Sequence, residues 1–144
     1  MQFATFHDLE DQSIFITGGG SGIGADLTKG FLSQGSKVTF IQRSNPEKFL
    51  IDCKGKYKHE PSFLECDVTN TKELKTALQR TAKKQGPISV LVNNAANDTR
   101  HSLGEFTSEQ WVKTMNVNLK PHFFAAQEVV EGMKKNGGGS IINF

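Results

Sequence analysis

Short apolar runs alternate along this chain with segments whose apolar residues recur every three or four positions. Ser13 to Thr17 (SIFIT) reads as a first strand that runs into glycines. Ile23, Leu27 and Phe31 then recur at helical spacing, and Gly35 closes that segment. Lys37 to Ile41 (KVTFI) is a second strand, 44–60 supports only a poor helix, and Ser62 to Cys66 (SFLEC) is a third strand. Asn70 with Glu73 three residues on forms a capping pair, and Leu74, Ala77, Leu78 and Ala82 make the buried stripe of the next helix. Gly86-Pro87 ends it. Ile88 to Val92 (ISVLV) is a fourth strand, unbroken in hydrophobicity as a strand covered on both faces should be.

A polar loop follows from Asn93 to about Phe106, and Thr107 with Gln110 caps a helix containing Trp111 and Met115. Phe123, Ala126, Val130 and Met133 continue a helical stripe to Lys135, with Pro121 near its start, where a missing N–H costs little. Asn136 and Gly137 stop this helix, and Ile141, Ile142 and Phe144 read as a buried fifth strand. Strict alternation of strand and helix implies an α/β fold, a doubly wound parallel sheet of Rossmann type. The right-handed crossover rule gives strand order 3-2-1-4-5. Ligands then bind beyond the strand carboxyl ends, at the switch between strands 1 and 4.

Composition narrows this only modestly. The chain has 144 residues, enough for one domain with a real core. Seventeen Lys and Arg against fifteen Asp and Glu give a net charge of +2, which does not argue for a nucleic-acid partner. Cys53 and Cys66 lie far from any zinc or disulfide spacing, so no metal is expected and the thiols read as those of a cytoplasmic protein. The N-terminal MQFATFHDLEDQ lacks the basic-then-apolar pattern of a leader, and no apolar stretch is long enough to span a membrane.

The candidate chemistry begins at TGGGSGIG, Thr17 to Gly24, which follows a strand and opens a helix. Gly18 allows a tight turn, while Gly22 and Gly24 allow backbone to approach a pyrophosphate and the neighbouring strand. Free N–H groups at the start of the helix can hold phosphates. No Gly-Lys-Ser/Thr follows, so this is not a nucleoside-triphosphatase loop.

The spacing Thr-Gly-x-x-x-Gly-x-Gly resembles that of the short-chain dehydrogenase/reductase family, and further motifs agree in order. Asp67-Val68 follows strand 3, Asn93-Asn94-Ala95-Ala96 follows strand 4 where the family has Asn-Asn-Ala-Gly, and Asn118 stands in NVNLK. The resemblance covers about residues 9–144. It implies that Gly18, Gly20, Ser21 and Ile23 line the pyrophosphate and ribose, Asp67 and Val68 the adenine, and Asn94 the nicotinamide-side ribose. Asn118 would hold the water of a proton relay. NNAANDTRH, VNLKPHFFAAQ and GGGSIINF are similar to the sugar 1-dehydrogenase branch, whose members oxidise the anomeric carbon of an aldose such as D-xylose to a lactone.

Cofactor choice follows from the end of strand 2. Where an NAD enzyme carries an acid for the ribose 2′-hydroxyl, this chain has Gln42 and then Arg43. A guanidinium can grip the 2′-phosphate, so the pattern favours NADP, although Gln42 can still bind the hydroxyl of NAD. The loop residues Asn97, Asp98, Arg100 and His101 are candidates to bind a polyhydroxylated substrate, or simply an exposed polar loop.

The family's chemistry also needs a serine after strand 5 and Tyr-x-x-x-Lys on the next helix. The single tyrosine, Tyr57, lies in KGKYKHE before strand 3 and does not match. Residues 1–144 are therefore expected to be an incomplete dinucleotide-binding domain, inactive by itself. The alternatives are a non-catalytic dinucleotide-binding module, or a family member acting on another alcohol or ketone. The family often pairs through its central helix, here about residues 119–135, so a homo-oligomer is a further expectation.

Overall fold

The computed structural model describes residues 4–144; the first three residues of the segment read above as lacking a leader lie outside them. Five strands, β1 (Ser13–Thr17), β2 (Lys37–Gln42), β3 (Ser62–Glu65), β4 (Ile88–Asn93) and β5 (Ser140–Asn143), form one sheet in the order β3-β2-β1-β4-β5. Every neighbouring pair is parallel. The crossovers carry α1 (Gly22–Ser33), α2 (Glu47–Cys53), α3 (Thr71–Gln85), α4 (Ser108–Asn118) and α5 (Lys120–Lys135). This is the doubly wound order that the alternation implies.

Side chains alternate across a strand, so each strand feeds two cores. Phe15, Ile41 and Leu91 point to one face and pack with Leu74 and Leu78 of α3 and Ala125, Val129 and Met133 of α5. Ile14, Ile16, Val38, Phe40, Val90 and Val92 point to the other and pack with Leu32 of α1 and Cys53 of α2. Fully burying a Leu, Ile or Phe side chain contributes about 1.5–3 kcal/mol. The central strands β1 and β4, covered on both faces, therefore anchor the domain. Among the described residues no helix is long and apolar enough to cross a membrane, and no group of three or more His, Cys, Asp or Glu could hold a metal ion.

Three buried stripes differ from the sequence reading. In α1 the sheet-facing positions are Gly24, Thr28 and Leu32, while Ile23 is 65% exposed and Leu27 and Phe31 are half-buried. The close seat of Gly24 against the glycine turn fixes the rotation of this helix. In α5 the buried series is Pro121, Ala125, Val129 and Met133. Phe123, two positions from Pro121 and so about 200° around the helix, is 64% exposed. Strand β5 pairs with β4 but is exposed along its whole length, Ile141 by 39%. It is an edge strand, and no described element covers it.

Candidate functional site

The carboxyl ends of β1 and β4 meet in register, Thr17 beside Asn93, at the point where the strand order reverses. Beyond them opens a cleft of about 1650 Å3. Drug-sized pockets usually occupy about 300–1,000 Å3, so this is room for an extended ligand in an open groove.

The glycine turn forms its floor. Gly18 has φ +71° and donates its N–H to Ile41 O at 2.7 Å, turning the chain back over β2. A Cβ on Gly24 would run into the Gly18 carbonyl and the Asn94 amide, so only glycine lets the helix start sit this close. Buried Thr28 donates its hydroxyl to Gly19 O at 2.8 Å and ties the turn to α1. At the N-cap of α1, the Ser21 side chain makes no capping bond. The first-turn N–H groups of α1 therefore face the cleft without a side-chain acceptor, the arrangement that favours an anion.

The wall after β4 is pinned to β1. Thr17 Oγ1 accepts the N–H groups of Asn94 at 3.0 Å and Ala95 at 2.9 Å. Asn94 Nδ2 donates to Thr17 O at 3.0 Å and Gly18 O at 3.2 Å. Both Asn94 donors thus stabilise the turn, and its Oδ1 takes no part in these bonds. Asn93 is fully buried and donates Nδ2 to Asn143 Oδ1 at 2.8 Å, while its own Oδ1 has no protein partner.

At the far end, Asp67 Oδ1 accepts the Thr69 N–H at 2.9 Å and the Thr69 hydroxyl at 2.8 Å. These two bonds, the backbone one first, hold the Asp67 carboxyl below the ordinary range, with help from the Arg43 charge and against the effect of burial. Asp67 is a carboxylate at neutral pH. Arg43 and Ser44 stand exposed on the adjacent rim. Gln42 reaches from the end of β2 into the turn, where its Oε1 accepts the Gly20 N–H at 3.0 Å.

The cleft brings together Gly18, Ser21, Ile23, Arg43, Asp67, Val68 and Asn94 of the sequence candidates, with Asn97 and Asp98. Gly20 does not line it; it is packed beside Phe40 and Gln42. Asn118 also lies off the lining, paired with the Asn97 backbone. Arg100 is likewise outside it, and His101 packs against Phe106 with ring centroids 5.0 Å apart. Sequence reading missed Thr17 and Thr28, whose roles depend on which strand and turn stand beside them. It also missed Glu109, Val112, Lys113 and Asn116, the α4 face that closes the cleft. Their helical spacing, read with the predicted strand order, carries that signal.

Comparison with known proteins places this geometry. A D-xylose 1-dehydrogenase of Caulobacter vibrioides is 39% identical over 145 residues, covering 100% of this chain and 57% of the relative. A probable galactose dehydrogenase of Rhizobium meliloti is 40% identical over 142 residues, 96% of this chain and 55% of the relative. The chain thus spans little more than half the length of these relatives. A blue fluorescent protein from a metagenomic library, solved in complex with NADPH, superposes with a TM-score of 0.83 at 28% identity, covering 94% of this chain and 56% of that one. The family model described as short chain dehydrogenase matches residues 12–144, and the chain belongs to that oxidoreductase family.

Proposed function

We propose that this chain is the dinucleotide-binding part of an NAD(P)-dependent dehydrogenase that oxidises the anomeric hydroxyl of an aldose to a lactone, with NADP preferred over NAD. The observation that carries the binding reading is the uncapped start of α1, opening into the cleft over a turn that only glycine permits at Gly24. The residues fit the group. Gly18, Ser21 and Ile23 would flank its pyrophosphate, and Asp67 and Val68 its adenine. Asn94 would face the nicotinamide-side ribose through Oδ1, the atom its structural bonds leave over. When bound, the nicotinamide supplies the hydride acceptor.

The NADP preference rests on the rim beside Gln42. No carboxylate stands at the end of β2, and Arg43 lies exposed on the cleft wall. A guanidinium there attracts a 2′-phosphate and offers it paired donors. The sugar reading rests on the names of the two relatives and on Asn97 and Asp98, which extend the cleft past Asn94.

Proton transfer is a separate matter. The cleft lining holds no tyrosine, and Tyr57 packs with the core on the α1–α2 side of the sheet. We therefore propose that residues 1–144 bind the cofactor without turning a sugar over by themselves, which also suits a non-catalytic binding module. Exposed Leu119 and Phe123 support pairing of two copies through the α4–α5 region.

The test is thermal unfolding of the purified protein with increasing NADP or NAD. Ligand at a hundred times its Kd stabilises the native state by about 2.7 kcal/mol. A rise in midpoint at lower NADP than NAD is expected, and no rise with either would sink the binding reading. A sugar-dependent reduction assay on residues 1–144 should show no turnover; measurable turnover overturns the proposed division of labour.

A further inference from the structure

Gln42 makes two bonds that run in opposite senses. Its Oε1 accepts the Gly20 N–H at 3.0 Å, and its Nε2 donates to Ser44 O at 2.8 Å and lies 3.3 Å from Ser44 Oγ. An N–H at one end and a carbonyl at the other admit only one orientation of the amide. The side chain therefore joins the glycine turn to the strand exit that carries Arg43 and Ser44. There is no spare room on the turn side, because a Cβ on Gly20 would stand 2.5 Å from Gln42 Oε1. Behind this contact the Gln42 carbonyl accepts the Cys66 N–H at 3.1 Å, which fixes the backbone between β2 and β3.

We propose that Gln42 is a positioning residue for cofactor selection. Its amide braces the rim segment 43–44 against the glycine turn, so that Arg43 is held ready for a 2′-phosphate. This deepens the cofactor reading above and rests on it. Lack of charge at position 42 is then only part of the requirement. A glutamate keeps an acceptor for the Gly20 N–H but faces the Ser44 carbonyl with no donor, and its charge opposes a phosphate. A methionine keeps the length of the side chain and its neutrality, yet braces neither end. Arg43 remains in both variants, but the segment that carries it is no longer tied to the glycine turn, and a ligand that must immobilise its partner binds more weakly.

Calorimetric titration with NADP and with NAD, without sugar, separates the possibilities in wild type, Gln42→Met and Gln42→Glu. In Gln42→Met, NADP affinity should fall about tenfold, the equivalent of one ordinary hydrogen bond lost, while NAD affinity changes little. Gln42→Glu should lose the NADP preference altogether. Hydrogen exchange at the Gly20 amide should quicken in Gln42→Met and not in Gln42→Glu, which shows the brace directly. A Gln42→Met protein with the wild-type ratio of NADP to NAD affinity overturns the brace and leaves the cofactor reading standing. So does an equal loss of both affinities, the mark of a merely structural residue. If Gln42→Met does not fold, retention of NADP preference by Gln42→Glu is the overturning result. Failure of the wild-type protein to bind either dinucleotide removes the underlying reading instead.

Discussion

The side-chain amide of Asn118 pairs with the backbone of Asn97 at both ends: Oδ1 accepts the Asn97 N–H at 2.8 Å, and Nδ2 donates to the Asn97 carbonyl at 2.9 Å. The last residue of α4 thus holds the loop after β4 as a neighbouring strand would. Asn97 in turn accepts the Thr99 N–H at 3.0 Å through Oδ1. A poor helix former at the end of α4 is explained by this contact. Asn118→Leu removes both bonds and should cost about 1–3 kcal/mol, with faster hydrogen exchange at the Asn97 amide. Asn118→Asp keeps the acceptor but sets a carboxylate against the Asn97 carbonyl, and should be no better than the leucine. Unchanged exchange in both variants would show that the loop is held by something else.

Two glycines in the same helix should respond oppositely to alanine. An added Cβ at Gly24 meets the Gly18 carbonyl, whereas at Gly30 it meets nothing within 4 Å. Gly24→Ala must move the turn, and overpacking of this kind costs about 1–3 kcal/mol. Gly30→Ala only relieves the entropy of a helical glycine and should stabilise by about 0.4–1 kcal/mol. Urea unfolding of the two variants checks the signs, and dinucleotide titration should show weakened binding for Gly24→Ala alone.

Local signals were readable from the chain, and distant ones were not. The Thr107–Gln110 capping box forms with both its bonds, and Asn70 accepts the Glu73 N–H at 3.2 Å, because each pair lies within one turn. Strand order followed from alternation and crossover geometry. The rotation of α1 did not, because it is fixed by Gly24 against Gly18 and not by the spacing of Ile23, Leu27 and Phe31. The brace from Gln42 to Gly20 spans 22 positions, and its partner is a backbone N–H that no side-chain pattern encodes. The predicted strand order already put β5 at the sheet edge, but its apolar composition read as buried, since exposure depends on what else packs there.

Acid stability should carry the mark of two aspartates on the surface. Asp11 takes a hydrogen bond with His59 Nε2 at 2.6 Å and one from Lys58 Nζ at 2.9 Å, and these bring its carboxyl to about 2 from the usual 3.8. Asp52, between Lys29 and Lys56, is also brought to about 2. A depressed native value means that the unfolded chain takes up the proton first as pH falls. The stabilisation is therefore complete above the ordinary value and is lost between about 4 and 2. Asp11→Asn should flatten the fall of Tm across that window, and Asp11→Asn with Asp52→Asn should flatten it further. An unaltered slope would mean that the bonds at Asp11 and Asp52 contribute nothing in solution.

The thiols should be inert until the fold opens. Cys66 is buried at the cleft floor, and desolvation, reinforced by the nearby charges of Glu73 and Asp67, pushes it to about 11 from 9.0. Burial also raises Cys53 at the end of α2. Thiolate is the reactive form, so this rise leaves Cys66 with far less of it near pH 8 than a free thiol has. Access costs more again, since both side chains lie inside the packed layers. Alkylation by iodoacetamide should be slow for both in the native protein and rise to the rate of a free thiol in denaturant. Rates that track the unfolding curve would place both thiols behind global opening. Fast native alkylation of Cys66 alone would show that the β3 exit opens locally, and a dinucleotide held at Asp67 and Val68 as proposed above would then slow it.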